Sequence, residues 1–169
     1  MTEIITNIIS NDYMQVIFMS AIPIIESRGS IPYGIIALEL PWQNVALVSI
    51  VANFLVTLPI IYLLDPISHY LSRFKIFKRF FDWLFARSEK KGTIVDKRKI
   101  LGLIIFIGIP LPITGAWTGC VAAYVFGLAK RDTLVGAFFG IIMSVAIITA
   151  LTNAGVEFFG IQLENLRNN

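Results

Sequence analysis

The 169-residue chain is 56% hydrophobic and 15% charged, with a mean hydropathy of +0.76. A soluble domain of that length needs more polar surface to cover its core, so composition excludes one and predicts an all-α integral membrane protein. The net charge of +3 comes with a single cysteine, so Cys120 has no partner for an internal disulfide.

Residues 13–40 are apolar but interrupted by Pro23, Glu26, Arg28, Gly29 and Pro32. The arms on either side are too short to cross a bilayer as straight helices. The segment is expected to form a re-entrant helical hairpin, with a single broken helix that crosses fully as the alternative. Unwound backbone survives at membrane depth only where it is buried in protein or lines a wet cavity. Residues 44–64 read as an ordinary span, because their 21 residues make roughly 31 Å of helix. Pro59 is expected to kink it near its end.

Residues 65–99 form a basic connector. Ten of the fourteen Lys and Arg lie between Arg73 and Lys99, while the first forty residues hold only Arg28. The positive-inside rule puts 65–99 and the Lys130–Arg131 turn in the cytoplasm, and both termini outside. Within the connector, residues 70–87 place Leu71, Phe74, Phe77, Phe81 and Leu84 at helical spacing among basic residues. That pattern suits a basic amphipathic interfacial helix, or equally an orienting linker.

Residues 100–128 are broken at Pro110, Pro112 and Gly115 and predict a second re-entrant hairpin; 133–152 predict a second span, and 153–169 a weaker interfacial tail. A shift of 87 residues places Ile22–Pro23 on Ile109–Pro110 and Leu47–Val48–Ser49 on Leu134–Val135–Gly136. The expected architecture is one membrane domain, 1–169, of two inverted repeats (1–64 and 100–152), each a Pro-broken hairpin followed by a span.

Ionisable groups at bilayer depth demand a partner or a water-filled cavity, and by default mark function. On a regular helix, positions two apart do not face each other, so Glu26 and Arg28 meet only if the backbone unwinds. Arg28 offers a planar fork for phosphate or carboxylate, and Glu26 is a candidate proton carrier. A structural ion pair pinning the tip is the competing reading. Gly29 and Ser30 complete the first tip. The second offers Thr114, Gly115, Trp117 and Thr118, where Trp117 either stacks on a substrate or fills space. Asn53 either bonds across the bundle or lines the path. Gly115-x-x-x-Gly119 and Gly136-x-x-x-Gly140 are read first as helix-packing surfaces. His69, Asp65 and Ser68 lie at a juxtamembrane helix end and lack the support a catalytic reading needs. No His/Cys cluster predicts a metal and no glycine-rich loop predicts a nucleotide, so no cofactor, catalytic group or nucleic-acid partner is expected.

"PIIESRGSIPYGI" (23–35) and "IPLPITGAWTGC" (109–120) resemble the two signatures of the small multi-drug export protein family, which is distantly similar to the DedA superfamily. That resemblance spans about residues 15–150. It implies two opposed re-entrant hairpins and proton-motive-force-linked flipping of polyprenyl-phosphate lipids, with an acidic residue and arginines at the tips. Glu26 and Arg28 match the acidic and basic positions of the first signature. Ile113 stands where glycine is common, and the second tip carries no arginine, a departure from the DedA pattern. The resulting expectation is a multi-pass plasma-membrane transporter, a flippase of anionic polyprenyl-phosphate-type lipid. An exporter of small amphipathic drugs and a non-transporting scaffold are the alternatives, and an intramembrane lipid-phosphate enzyme has no visible nucleophile. A homodimer is one way for so short a chain to enclose a path.

Overall fold

The computed structural model describes residues 12–71, 93–111 and 114–167. Among them all regular structure is helical: α1 (Asp12–Ala21), α2 (Glu26–Pro32), a π-helix (Tyr33–Ala37), α3 (Trp42–Leu71), α4 (Thr93–Gly108), α5 (Ala116–Val125) and α6 (Lys130–Arg167). The amphipathic segment expected over 70–87 lies outside the described residues, apart from the last two residues of α3.

The break in the first apolar segment is narrower than the residue types suggest. It covers residues 22–25, where Ile25 and Glu26 N–H both return to the Ile22 carbonyl at 3.2 and 3.0 Å. Pro23 causes it by removing a donor. Gly29 and Pro32, read from the sequence as further breaks, lie inside α2. Pro32 is accommodated because the Tyr33 N–H bonds the Gly29 and Ser30 carbonyls. The coil then widens to a π-helix, with Leu38 N–H reaching the Tyr33 carbonyl at 3.2 Å. A π turn absorbs such a local mismatch without ending the helix.

The long helices exceed their expected spans. α3 continues through Pro59 and Pro66 to Leu71, and α6 runs 38 residues without interruption, absorbing the expected tail as far as Arg167. Their spans Trp42–Leu64 and Lys130–Phe158 have 23 and 29 residues, each with an 18-residue window of mean hydropathy 2.3 and 2.5 respectively, long enough to cross a bilayer. Only 28% and 44% of their apolar windows are buried. The core helix of a soluble protein would be mostly covered. Instead Leu47, Val51 and Leu55 point outward at four-residue steps along α3, which suits lipid better than water.

The chain divides into two compact units, Met1–Asn53 with Ser144–Asn169, and Phe54–Met143. In the first, α1 and the α2–π segment form an antiparallel hairpin. Tyr33 Oη donates to Gln15 Oε1 at 2.8 Å, and Ser20 Oγ to Ser30 Oγ at 2.7 Å. The N-terminal half of α3 runs alongside, parallel to α1. Asn44 Nδ2 donates to Tyr13 Oη at 3.0 Å, and a Cβ at Gly34 would lie 2.9 Å from Val45 Cγ1 and 3.1 Å from Val16 Cγ2.

The second unit repeats this local order with α4, α5 and the N-terminal half of α6. Ile107 packs against Gly119 of α5 in antiparallel register. Against α6 the register is parallel: Leu103 sits over Gly136 and Ile107 over Gly140, where added Cβ atoms would approach to 2.8 and 2.7 Å. Gly136 and Gly140 are therefore a packing surface, a ridge of α4 seated in a small-residue groove of α6, and Gly119 takes Ile107 in the same way on α5. Phe54 and Phe138 add an edge-to-face contact at 5.3 Å between α3 and α6.

Candidate functional site

Glu26, Arg28, Gly29, Ser30 and Asn53 belong to the first unit, and Thr114, Gly115, Trp117 and Thr118 to the second. The first group is built on the hairpin tip. Glu26 opens α2 with φ +46°, one of two non-glycine residues with positive φ among the described residues, and is only 5% exposed. A left-handed L-residue costs roughly 1–2 kcal/mol, and such outliers concentrate where a precise backbone is part of function. Arg28 is half-buried two positions on. Arg28 therefore lies within α2 and Glu26 at its left-handed start, and the tip proper is the turn before them. Gly29 lies against Ile25, where a Cβ would meet Cγ2.

Asn53 meets this tip from α3. With its carboxamide oriented to satisfy both ends, the nitrogen donates to the Ser20 carbonyl at 2.8 Å and the oxygen accepts from Ser27 N–H at 3.2 Å. Ser20 lies in the last turn of α1 and Ser27 in the first turn of α2, so the two partners are groups that helix termini leave without an intrahelical bond. One side chain on the neighbouring helix thus closes both sides of the break. Below it Ser20, Ser30 and Ser49 form a triangle of hydroxyls, with the other two edges at 3.3 Å and all three residues fully buried. Ser20 Oγ faces both neighbours as the donor, sharing its one proton between them, and the Ser30–Ser49 edge can run in either direction. Of these serines only Ser30 stands out in the sequence; the readable signal for Ser49 is its four-residue spacing from Asn53 on one face of an apolar helix, and Ser20 and Ser27 have none.

The second tip is closed from within. Thr114 Oγ1 lies 3.0 and 2.9 Å from the Ile109 and Leu111 carbonyls, at the frayed end of α4. Gly115 N–H donates to Thr118 Oγ1 at 2.9 Å, capping the start of α5. Both threonine hydroxyls are engaged with main chain. Trp117 is half-buried on the first turn of α5. Among the described residues no group of three or more His, Cys, Asp or Glu could hold a metal ion.

Helices of crossing length with outward apolar faces, and short helices folded back on one another, one pair around a buried polar tip, are the build of a helical membrane protein. They serve transport more readily than chemistry. The chain belongs to the family described as "Putative small multi-drug export protein", which it matches over residues 26–147, a stretch that begins at Glu26 and takes in both tips. That membership points to a general transport role rather than an enzymatic one. No curated protein and no solved structure matches the chain.

Proposed function

We propose that the protein is a plasma-membrane transporter that moves an anionic amphiphile, of the polyprenyl-phosphate class, between leaflets in a proton-motive-force-linked cycle. Arg28 holds the phosphate, Glu26 exchanges the proton, and the second tip supplies Thr114, Thr118 and Trp117 to the headgroup. The lipid tail stays in the bilayer, so only the headgroup needs a polar path. The supporting observation is Glu26, a buried carboxylate on left-handed backbone at the tip of a hairpin whose arms are otherwise apolar.

Helix lengths favour re-entrant hairpins. α1 and α5 have 10 residues each, about 15 Å, half the hydrocarbon thickness of about 30 Å. The contacts also favour a repeat. Ser20 and Ser30 pair symmetrically about position 25, Ile107 and Gly119 about position 113, close to the 87-residue shift. Charge favours inversion: the open end of the first hairpin carries Asp12 and Glu39, that of the second Arg98, Lys99, Lys130 and Arg131. By the positive-inside rule the second opens to the cytoplasm, with the 65–99 connector, and the first outside. These features agree with the distant DedA likeness.

The test is flux of a labelled polyprenyl phosphate in reconstituted vesicles, with and without a pH gradient. Wild type should move the lipid and respond to the gradient; Arg28→Ala, expressed and folded, should not. Equal flux from both would remove the headgroup site. The family description favours a second reading, export of small amphipathic drugs. In the same vesicles, gradient-driven movement of a cationic amphipathic dye by both wild type and Arg28→Ala would select it.

A further inference from the structure

The second hairpin contains a cavity that neither tip uses. It lies between α4 and α5 toward their open end and encloses about 330 Å³. Leu103, Phe106, Ala123 and Phe126 supply apolar walls, and among the described residues Lys99 is the one charged group on its lining. That volume is about twice the ~150 Å³ that accommodates benzene, room for a chain segment of about a dozen carbons, and it falls at the small end of ligand pockets.

Two features set this cavity apart from a packing fault. Gly102 forms part of the wall in the middle of α4, where glycine weakens a helix. Gly119 and Gly140 are required by neighbours a Cβ would strike, but a Cβ at Gly102 meets nothing within 4 Å. Its missing side chain keeps the wall open. At the mouth, Lys99 Nζ donates to the Phe126 carbonyl at 2.9 Å. That carbonyl belongs to a tightly closed helix end: Gly127 sits at φ +66°, while Leu128 N–H bonds Ala123 O at 2.9 Å and Gly127 N–H bonds Tyr124 O at 3.0 Å. This Schellman closure leaves the Phe126 carbonyl for the lysine, which fixes an ammonium at the entrance. Along the chain near it stand Lys97, Arg98, Lys130 and Arg131 against Asp96 and Asp132, a positive balance.

We propose that this cavity seats one acyl chain of an anionic phospholipid of the surrounding membrane, with the phosphate at Lys99. An apolar slot with a single cation at its lip complements such a molecule, and a zwitterionic lipid satisfies only the slot. The proposal rests on the membrane reading above but uses neither Glu26 nor Arg28.

The test titrates the purified full-length protein, in neutral detergent, with phosphatidylglycerol or phosphatidylcholine and counts retained lipid by native mass spectrometry. Wild type should retain phosphatidylglycerol about fivefold more strongly, the preference one lysine near a membrane anion provides. Lys99→Gln should erase the preference, and Gly102→Leu, which fills open space, should lower retention of both lipids without lowering the melting temperature. Retention of both lipids at the wild-type level by folded Gly102→Leu overturns the proposal. So does an undiminished preference in Lys99→Gln, or a Gly102→Leu effect confined to self-association. Polyprenyl-phosphate flux reads the tip and phospholipid retention reads this cavity, so either can fail alone.

Discussion

Replacing Asn53 by leucine tests whether α3 holds the first hairpin tip together. Leucine keeps much of the volume and removes both bonds, leaving the Ser20 carbonyl and Ser27 N–H without the partner they have at 2.8 and 3.2 Å. Asn53 is 2% exposed, so water does not readily take its place. A buried main-chain group left unsatisfied costs about 1–3 kcal/mol, giving a simple total of about 2–6 kcal/mol. Hydrogen bonds between membrane helices average only about 0.6 kcal/mol, because separated helices find other partners. Here the partners are orphan groups at helix ends, which have no such alternative within their own helix. The lower part of the range, about 2–3 kcal/mol, is therefore expected. Unfolding in mixed micelles of graded SDS content, followed by circular dichroism, measures it. Ser49→Ala is the control, since it removes one hydroxyl of the triangle, 3.3 Å from its neighbours, and orphans no main-chain group; it should cost at most about 1 kcal/mol. If Asn53→Leu unfolds within about 0.5 kcal/mol of wild type, or Ser49→Ala costs more, the bridging role assigned to Asn53 is wrong.

Glu26→Gly should relieve the left-handed backbone at φ +46° and stabilise the fold by about 1 kcal/mol, while vesicle flux falls to background. Glu26→Gln should also lose flux with no such gain, and a flux-competent Glu26→Gly would divorce the carboxylate from transport. Gly140→Ala places a Cβ 2.7 Å from Ile107 Cβ and 3.2 Å from the Ile104 carbonyl; neither is a flexible side-chain end, so a loss of about 1–3 kcal/mol is expected in the same SDS assay. Gly155→Ala meets nothing within 4 Å and should instead gain up to about 1 kcal/mol from helix propensity. Gly127→Ala, at φ +66°, should cost about 1–2 kcal/mol and loosen the end of α5, read as faster amide exchange at Leu128.

Hydropathy over twenty residues is additive, and so the two long helices and the all-helical class are legible in the chain. Their ends are less so, because a hydropathy window stops where polar residues begin while the helix does not: α3 runs on past Leu64 to Leu71 and α6 past Thr152 to Arg167. Pro23 and Pro110 mark breaks correctly, since each removes a donor that a helix needs. Pro32 misleads, because the π turn after it re-forms the ladder through Tyr33. Lone serines on apolar helices have no periodic signature. Ser20 and Ser30 become neighbours only when the hairpin closes, and Ser49 only when α3 lies against them. The electrostatic pair at 26 and 28 stands out in composition, yet the side chain that organises its backbone sits 27 positions after Glu26, at Asn53.

The same register separates the two halves by chemistry. A shift of 87 residues carries Ser20, Ser49 and Asn53 onto Ile107, Gly136 and Gly140. The contact between Ser20 and Asn53 in one unit falls on the contact between Ile107 and Gly140 in the other. Where the first seam is hydrogen-bonded, the second is a dry ridge in a glycine groove. The difference extends to the tips: the second is capped by its own Thr114 and Thr118, while the first depends on a side chain from its long helix. Sliding α3 along the first hairpin by one helical turn would move Asn53 about 5.4 Å and break both bonds at once. A comparable slide of the second long helix would leave its tip caps intact. Motion of α3 along the first hairpin would therefore be felt at the main chain of Ser20 and Ser27, next to Glu26, whereas the second tip carries caps of its own.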